Sequence, residues 1–489
     1  MASSSLTKQA GFLMAGRFLS MPFAFLVPIV LARKFSLEEF GYYKQLFLIF
    51  NILLPIIDLG ITNSLYYFMP RYPDEKGAFV GQALILTILP CIFSLACCLF
   101  IPEKIAQAFT HEIQIGQFIS FLGFFAISWH LSNLFEVVLI VEKKAFGAGV
   151  VTFLSEAARS LVTIAIVLSG YGLKGLLVAL VALGGCRCLF MAYYLLKKYD
   201  IDWRIKFVPV KKQLAYAVPF GVAVIVNGFI GNVHQYIVSV TSNAAEFAIF
   251  TVGCFQLPLL SVVVDSIAKT SLVRMAELRN HENSLEEIAQ VISNSCRKLW
   301  LIFFPVFVFL FVIAEEFIEI LFTTQYLDSV PIFRVFIFII PLSAILIQHV
   351  PRAFNETNFI LINNTASLAI SVFLCWAGML YVGILGVALG FIVANLIWKV
   401  TFLFKCKKIL KTNISNILPF RELFRSGLII LIGGLIIYFF KNMINGSLYV
   451  SLVTSSCSFL IYHYWAYNYL GLLTIEEKRS IWLATKKFH

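Results

Sequence analysis

The chain is divided into apolar blocks of roughly twenty residues, and that spacing leaves few folds open to it. About twenty apolar residues is the length an α-helix needs to cross the hydrocarbon core of a bilayer. A backbone in lipid must satisfy its own polar groups, so the blocks are expected to be helices. Composition agrees: 60% of the 489 residues are hydrophobic and 13% are charged, against roughly a quarter charged in a soluble domain. The expected fold class is therefore all-α, a polytopic membrane protein. A large soluble enzyme with a greasy core does not fit these figures.

Measured against that length, about fourteen spans follow. Six run near 10–32, 44–69, 77–101, 115–141, 146–169 and 173–196, and six more near 213–240, 247–272, 299–322, 330–351, 358–381 and 384–404. A last pair runs near 426–441 and 448–472. This divides the chain into an N-terminal six-helix half, 1–200, a second six-helix half, 201–410, and an extra two-helix segment with a tail, 411–489. The first apolar stretch lacks a convincing small-x-small cleavage site, so it is expected to remain as a helix. The ten cysteines are scattered without a CxxC, and Cys186 and Cys188 have the wrong spacing for a zinc ribbon. They are expected to be packing residues, with no metal or cofactor.

Charge tests this map. With the N-terminus in the cytoplasm, twenty-six of the 38 basic residues fall on cytoplasmic segments and six on outer ones, including Lys44. That is the bias the positive-inside rule describes, and it puts both termini in the cytoplasm. The net charge of +12 is then a matter of topology and anionic-lipid contact, with no nucleic acid implied.

Shifting the chain by 207 residues lays "SLEEFGYYKQLFLIFNILLPIIDLGITNSL" on "SNAAEFAIFTVGCFQLPLLSVVVDSIAKTSL". Glu39-Phe40 falls on Glu246-Phe247, Ser64-Leu65 on Ser271-Leu272, and Asp58 on Asp265. Six spans separate the copies, so both cross the membrane in one direction, a parallel repeat of the kind found in two-halved transporters. A charge at a helix centre costs about 2.5–3.5 kcal/mol and normally faces a bundle interior or a wet cavity. Asp265 has Lys269 one turn on, so a simple salt bridge is as good a reading as a functional one. Asp58 has only Leu54 and Thr62 at those spacings. It is expected either to be protonated or to meet a cation from another helix.

Six basic residues lie within spans: Arg17, Arg159, Arg187, Lys269, Arg334 and Lys399. Lys399 is close enough to an inner end to snorkel, and Arg334 to an outer one. Arg159 follows Glu156 at helical spacing, which offers a local ion pair. Even so, cations exceed anions at depth in the first eight spans. A cationic, water-filled cavity with an anionic guest accounts for that surplus, and arginine's planar fork suits phosphate and carboxylate oxygens. Asp58, Asp265 and Glu156 are then candidates to bind a coupling proton or sodium ion. His130, His234 and His349 are at no metal-ligand spacing and are expected to be hydrogen-bonded packing residues.

The segments "ARKFSLEEFGYYKQL", "DLGITNSL", "YAVPFGVAVIVNGFIGNVHQYIV" and "EFAIFTVG" resemble the multidrug/oligosaccharidyl-lipid/polysaccharide exporter superfamily, and within it the Wzx-type O-antigen flippases of the polysaccharide transport branch. The resemblance implies a flippase for polyprenyl-pyrophosphate-linked oligosaccharide in a bacterial inner membrane; membrane lipids and a coupling proton or sodium ion are further expected partners. It also implies that Arg17 and Lys269 meet the pyrophosphate. One departure is His234-Gln235, where relatives often carry an Asp-Arg pair late in the seventh span.

Two rivals remain. An ion-coupled multidrug or cation antiporter of the same fold would be expected to line its cavity with carboxylates. A membrane polysaccharide polymerase or glycosyltransferase would be expected to carry a sizeable catalytic loop. The chain has no phosphate-cradling glycine loop, so a non-enzyme is expected.

Overall fold

A computed structural model describes residues 6–199, 207–278, 284–443 and 448–471. They form helices and connecting turns, with no strand among the described residues. Among the described residues, twelve helices are long and apolar enough to cross a membrane, and thirteen if one interrupted pair counts as a span. The chain is a multi-pass membrane protein. The fourteenth expected span is a helix as well, Leu448–Tyr469, but serines, tyrosines and a histidine keep it below the hydropathy of the others.

The helices gather into two compact units. The first comprises residues 1–251 and 371–387. It contains α1 (Leu6–Lys34), α2 (Leu37–Asp58), α3 (Ile61–Arg71), α4 (Lys76–Phe100), α5 (Pro102–Phe109), α6 (Gly116–Val141), α7 (Ala145–Leu168), α8 (Gly172–Lys198), α9 (Phe207–Thr241) and most of α10 (Ala244–Gly253). The second comprises 252–370 and 388–489. It contains α11 (Pro258–Leu278), α12 (Ser284–Val312), α13 (Ala314–Phe322), α14 (Val330–Phe336), α15 (Ile339–Ser343), α16 (His349–Ala353), parts of α17 (Thr357–Val382) and α18 (Ile384–Leu410), α19 (Ile414–Ile417), α20 (Phe420–Met443) and α21 (Leu448–Tyr469).

In the first unit the helix after Lys34 begins seven residues earlier than its apolar block. Ser36 accepts a hydrogen bond from the Glu39 amide, and the Glu39 side chain accepts one from the Ser36 amide. This capping box starts α2 at Leu37. Lys44, expected in an outer loop, therefore sits two turns inside a helix. That helix is also shorter than its block. Leu59 and Gly60 adopt left-handed backbone, with φ of 43° and 75°, and split the block into α2 and α3. The break brings α9 close: a Cβ at Gly60 would overlap the Ala217 carbonyl oxygen of α9, while one at Gly41 would overlap the Ala244 carbonyl oxygen at the start of α10. One turn before Ala217, Gln213 donates to the Ser64 hydroxyl at 2.7 Å, both fully buried. Thus α9, the first span past the expected boundary at 200, is knitted to α2 and α3 along much of its length.

The second unit has a break of its own. The block expected as one span at 330–351 is three short helices, with residues 345–348 outside any helix. Backbone groups freed inside a membrane must find partners. Here Lys399 of α18 donates to the Ile345 carbonyl at 2.5 Å and to the Gln348 side chain at 3.0 Å. The Leu346 amide donates to Cys296 Sγ at 3.3 Å, and Cys406 Sγ donates to the Ile347 carbonyl at 3.2 Å. Lys399 is 8% exposed and does not snorkel; its ammonium is turned inward as a brace. The last two helices are fixed to α12 and α13 by polar contacts. Glu316 pairs with Lys441 at 2.7 Å and accepts from Ser451 at 3.2 Å, while the Tyr467 hydroxyl donates to the Leu301 carbonyl.

Candidate functional site

The first unit holds a cluster of charge built on one indole. The guanidinium carbon of Arg187, from α8, lies 4.3 Å from the centre of the Trp129 ring of α6. That of Arg159, from α7, lies 5.3 Å from the same ring. Trp129 is held in turn by an aromatic wall: Phe125 lies 5.4 Å from it and stacks on Phe50 of α2 at 5.1 Å. Two arginines that are twenty-eight residues apart in sequence are thus brought to one aromatic face, where cation–π attraction offsets part of their desolvation.

Their partners differ. Arg159 makes a 2.5 Å ion pair with Glu156 one turn back, each about a quarter exposed. Arg187 feels Glu136 and Glu156 electrostatically, yet its buried Nε and Nη1 have no hydrogen-bond partner among the described residues. Lys44 joins them. A cavity of about 300 Å³ between α1, α2 and α7 is lined by Lys44 and Arg159 with Tyr43, Asn51, Ser160 and Thr163. No carboxylate pairs with Lys44 among the described residues; its neighbour is the Phe40 ring at 5.3 Å. The cavity therefore combines two cations with hydroxyl and amide groups, a lining suited to anionic oxygens. Lys44 was not singled out from sequence, although the S-x-x-E pattern at Ser36 marks the helix start that draws it inside.

The aspartates have unlike settings. Asp58 ends α2, and its Oδ1 accepts the Thr62 amide at 3.1 Å, capping the first turn of α3. The same oxygen lies 3.7 Å from His130 Nε2 of α6, with the two side chains 16% and 6% exposed. So the polar partner that Asp58 meets comes from another helix, and it is a histidine, a cation only when protonated. Asp265 lies in the second unit, two turns into α11, on the wall of a cavity of about 430 Å³. It is exposed, and no ion pair joins it to the exposed Lys269 among the described residues. The aligned positions differ because the breaks differ. The first copy breaks at 59–60, the second at 254–257, where Pro258 starts α11. The side chain of Arg17 lies outside the described residues. Among the described residues no three His, Cys, Asp or Glu side chains gather as a metal site.

A family model for polysaccharide biosynthesis proteins matches residues 30–331, more than half of the chain. No curated protein sequence matches it. Among solved structures, the lipid II flippase MurJ in an inward closed conformation aligns with a TM-score of 0.70 at 18% identity, over 94% of this chain and 99% of that one. An inward-facing multidrug resistance MATE family transporter of the MOP superfamily aligns at 0.67 and 15% identity, over 80% and 94%. A MOP superfamily transporter from Pyrococcus furiosus, described as having a binding pocket of reversed polarity, aligns at 0.57 and 15% identity, over 83% and 96%. These likenesses show a shared fold.

Proposed function

The chain belongs to the polysaccharide biosynthesis protein family, and on that premise we propose that it is a flippase for polyprenyl-pyrophosphate-linked oligosaccharide, an O-antigen or exopolysaccharide repeat unit. It would act by alternating access in a bacterial inner membrane, with both termini in the cytoplasm, and is not an enzyme. The observation that carries this reading is the placement of Arg159 and Arg187 on one indole, with Lys44 beside Arg159 on one cavity wall and Glu156 paired with Arg159. Pyrophosphate is the headgroup chemistry such forks favour. Arg17 and Lys269 are further headgroup contacts in this proposal, and Asp58, Asp265 and Glu156 remain candidates for a coupling proton or sodium ion.

The second reading is a cation or multidrug antiporter of the same fold. The basic lining of the first unit disfavours it, since a cationic guest would meet like charge. The test is flipping in proteoliposomes with defined polyprenyl-pyrophosphate glycans, with and without an ion gradient. Translocation that requires the chain and the arginines supports the proposal. Transport of lipophilic cations with no movement of the glycan lipid rejects it.

A further inference from the structure

A groove of about 780 Å³ in the second unit runs between α12 and α20 and ends at α14. One wall is a run of phenylalanines. Phe304 and Phe307 are 5.7 Å apart, Phe307 and Phe311 6.0 Å, and Phe338 closes on Phe307 at 4.8 Å. The opposite wall is α20, through Leu431 and Leu435. A Cβ at Gly434 would overlap Val308, so the two helices pack closely at the groove.

At one end stands Arg334. Its guanidinium carbon is 5.8 Å from the Phe311 ring, and its buried Nε has no hydrogen-bond partner among the described residues. No carboxylate pairs with it there either. An apolar trough closed by an unpaired guanidinium is complementary to an anionic amphiphile, since a planar fork matches phosphate oxygens while the trough takes a hydrocarbon chain.

We propose that this groove binds one anionic phospholipid, its phosphate on Arg334 and an acyl chain along Phe304, Phe307 and Phe338. The volume is that of a small-molecule site, within roughly 300–1,000 Å³, and suits ordinary acyl chains better than a long polyprenyl tail. The site does not depend on what the chain transports.

The test is native mass spectrometry of the full chain titrated with phosphatidylglycerol and phosphatidylcholine. The wild type retains phosphatidylglycerol about five-fold over phosphatidylcholine, the ratio that roughly 1 kcal/mol per basic residue gives. Arg334→Gln brings the two to parity, Arg334→Lys keeps the preference, and Leu435→Trp lowers retention of both. Melting curves of the variants identify any that misfold, and Arg334→Lys and Leu435→Trp then carry the test. Equal retention by the wild type, or a preference that survives Arg334→Gln, overturns the proposal. So does displacement of phosphatidylglycerol by equimolar polyprenyl phosphate, which would make the carrier lipid the occupant.

Discussion

Arg187 rests on the ring of Trp129, 4.3 Å from its centre, with two of its nitrogens buried and without hydrogen-bond partners among the described residues. Burying donors unpaired costs about 1–3 kcal/mol, more for a charged group. An anion that accepts from those nitrogens would recover that energy on binding. Arg187→Gln should therefore weaken headgroup binding by roughly ten- to one-hundred-fold, from 1.5–3 kcal/mol for a charged hydrogen bond, while membrane insertion is unchanged. Binding of a short-chain polyprenyl pyrophosphate, followed by calorimetry, measures it.

Asp58 supports a helix start and meets His130, and two substitutions separate these roles. Asn keeps an oxygen for the Thr62 amide, so Asp58→Asn should melt close to the wild type. Asp58→Ala removes the cap and should cost about 0.5–2 kcal/mol. If the carboxylate also binds the coupling ion, Asp58→Asn abolishes the response of flipping to an ion gradient. Normal gradient-driven flipping by that variant would leave Asp58 as a cap alone.

Lys399 braces the broken segment at 345–348. Lys399→Met leaves the Ile345 carbonyl and the Gln348 side chain without their donor, at about 1–3 kcal/mol for each group left unpaired. The detergent-solubilised protein should melt clearly lower, and Lys399→Arg should recover part of the loss. Unchanged melting of the Met variant would mean that water or a neighbour serves the break equally well.

Gly41 lies where α2 meets the start of α10. Gly41→Ala forces these backbones apart and should destabilise by roughly 1–3 kcal/mol, the usual cost of overpacking. Gly147 has open space around it, so Gly147→Ala is the matched control and should be neutral or slightly stabilising. Equal melting temperatures for the two variants would contradict the close approach.

The all-helical membrane class was legible because a twenty-residue apolar block has one solution in lipid. What escaped is what happens inside blocks. Hydropathy averaged over a span does not register that Leu59 and Gly60 turn left-handed, or that residues 345–348 leave the helix. The second break is served by the distant partners Lys399, Cys296 and Cys406. Sequence did single out Arg159 and Arg187 as deep cations, since charge in an apolar run is conspicuous. It gave no sign that Trp129 joins them, because a tryptophan in a span is ordinary. Lys44 was missed for a local reason: the capping box at Ser36 outranks hydropathy in setting where α2 begins. His130 as the partner of Asp58 is a contact between helices, invisible to i,i+4 spacing.

The central claim is that the basic cluster of the first unit holds the phosphate end of a lipid-linked glycan. The most direct measurement compares binding of a polyprenyl pyrophosphate with that of the uncharged polyprenol, in the wild type and in the Arg159→Gln/Arg187→Gln double variant. The account predicts strong preference for the pyrophosphate in the wild type and near-equal, weak binding of both in the variant. Undiminished pyrophosphate preference in a correctly folded double variant would contradict it.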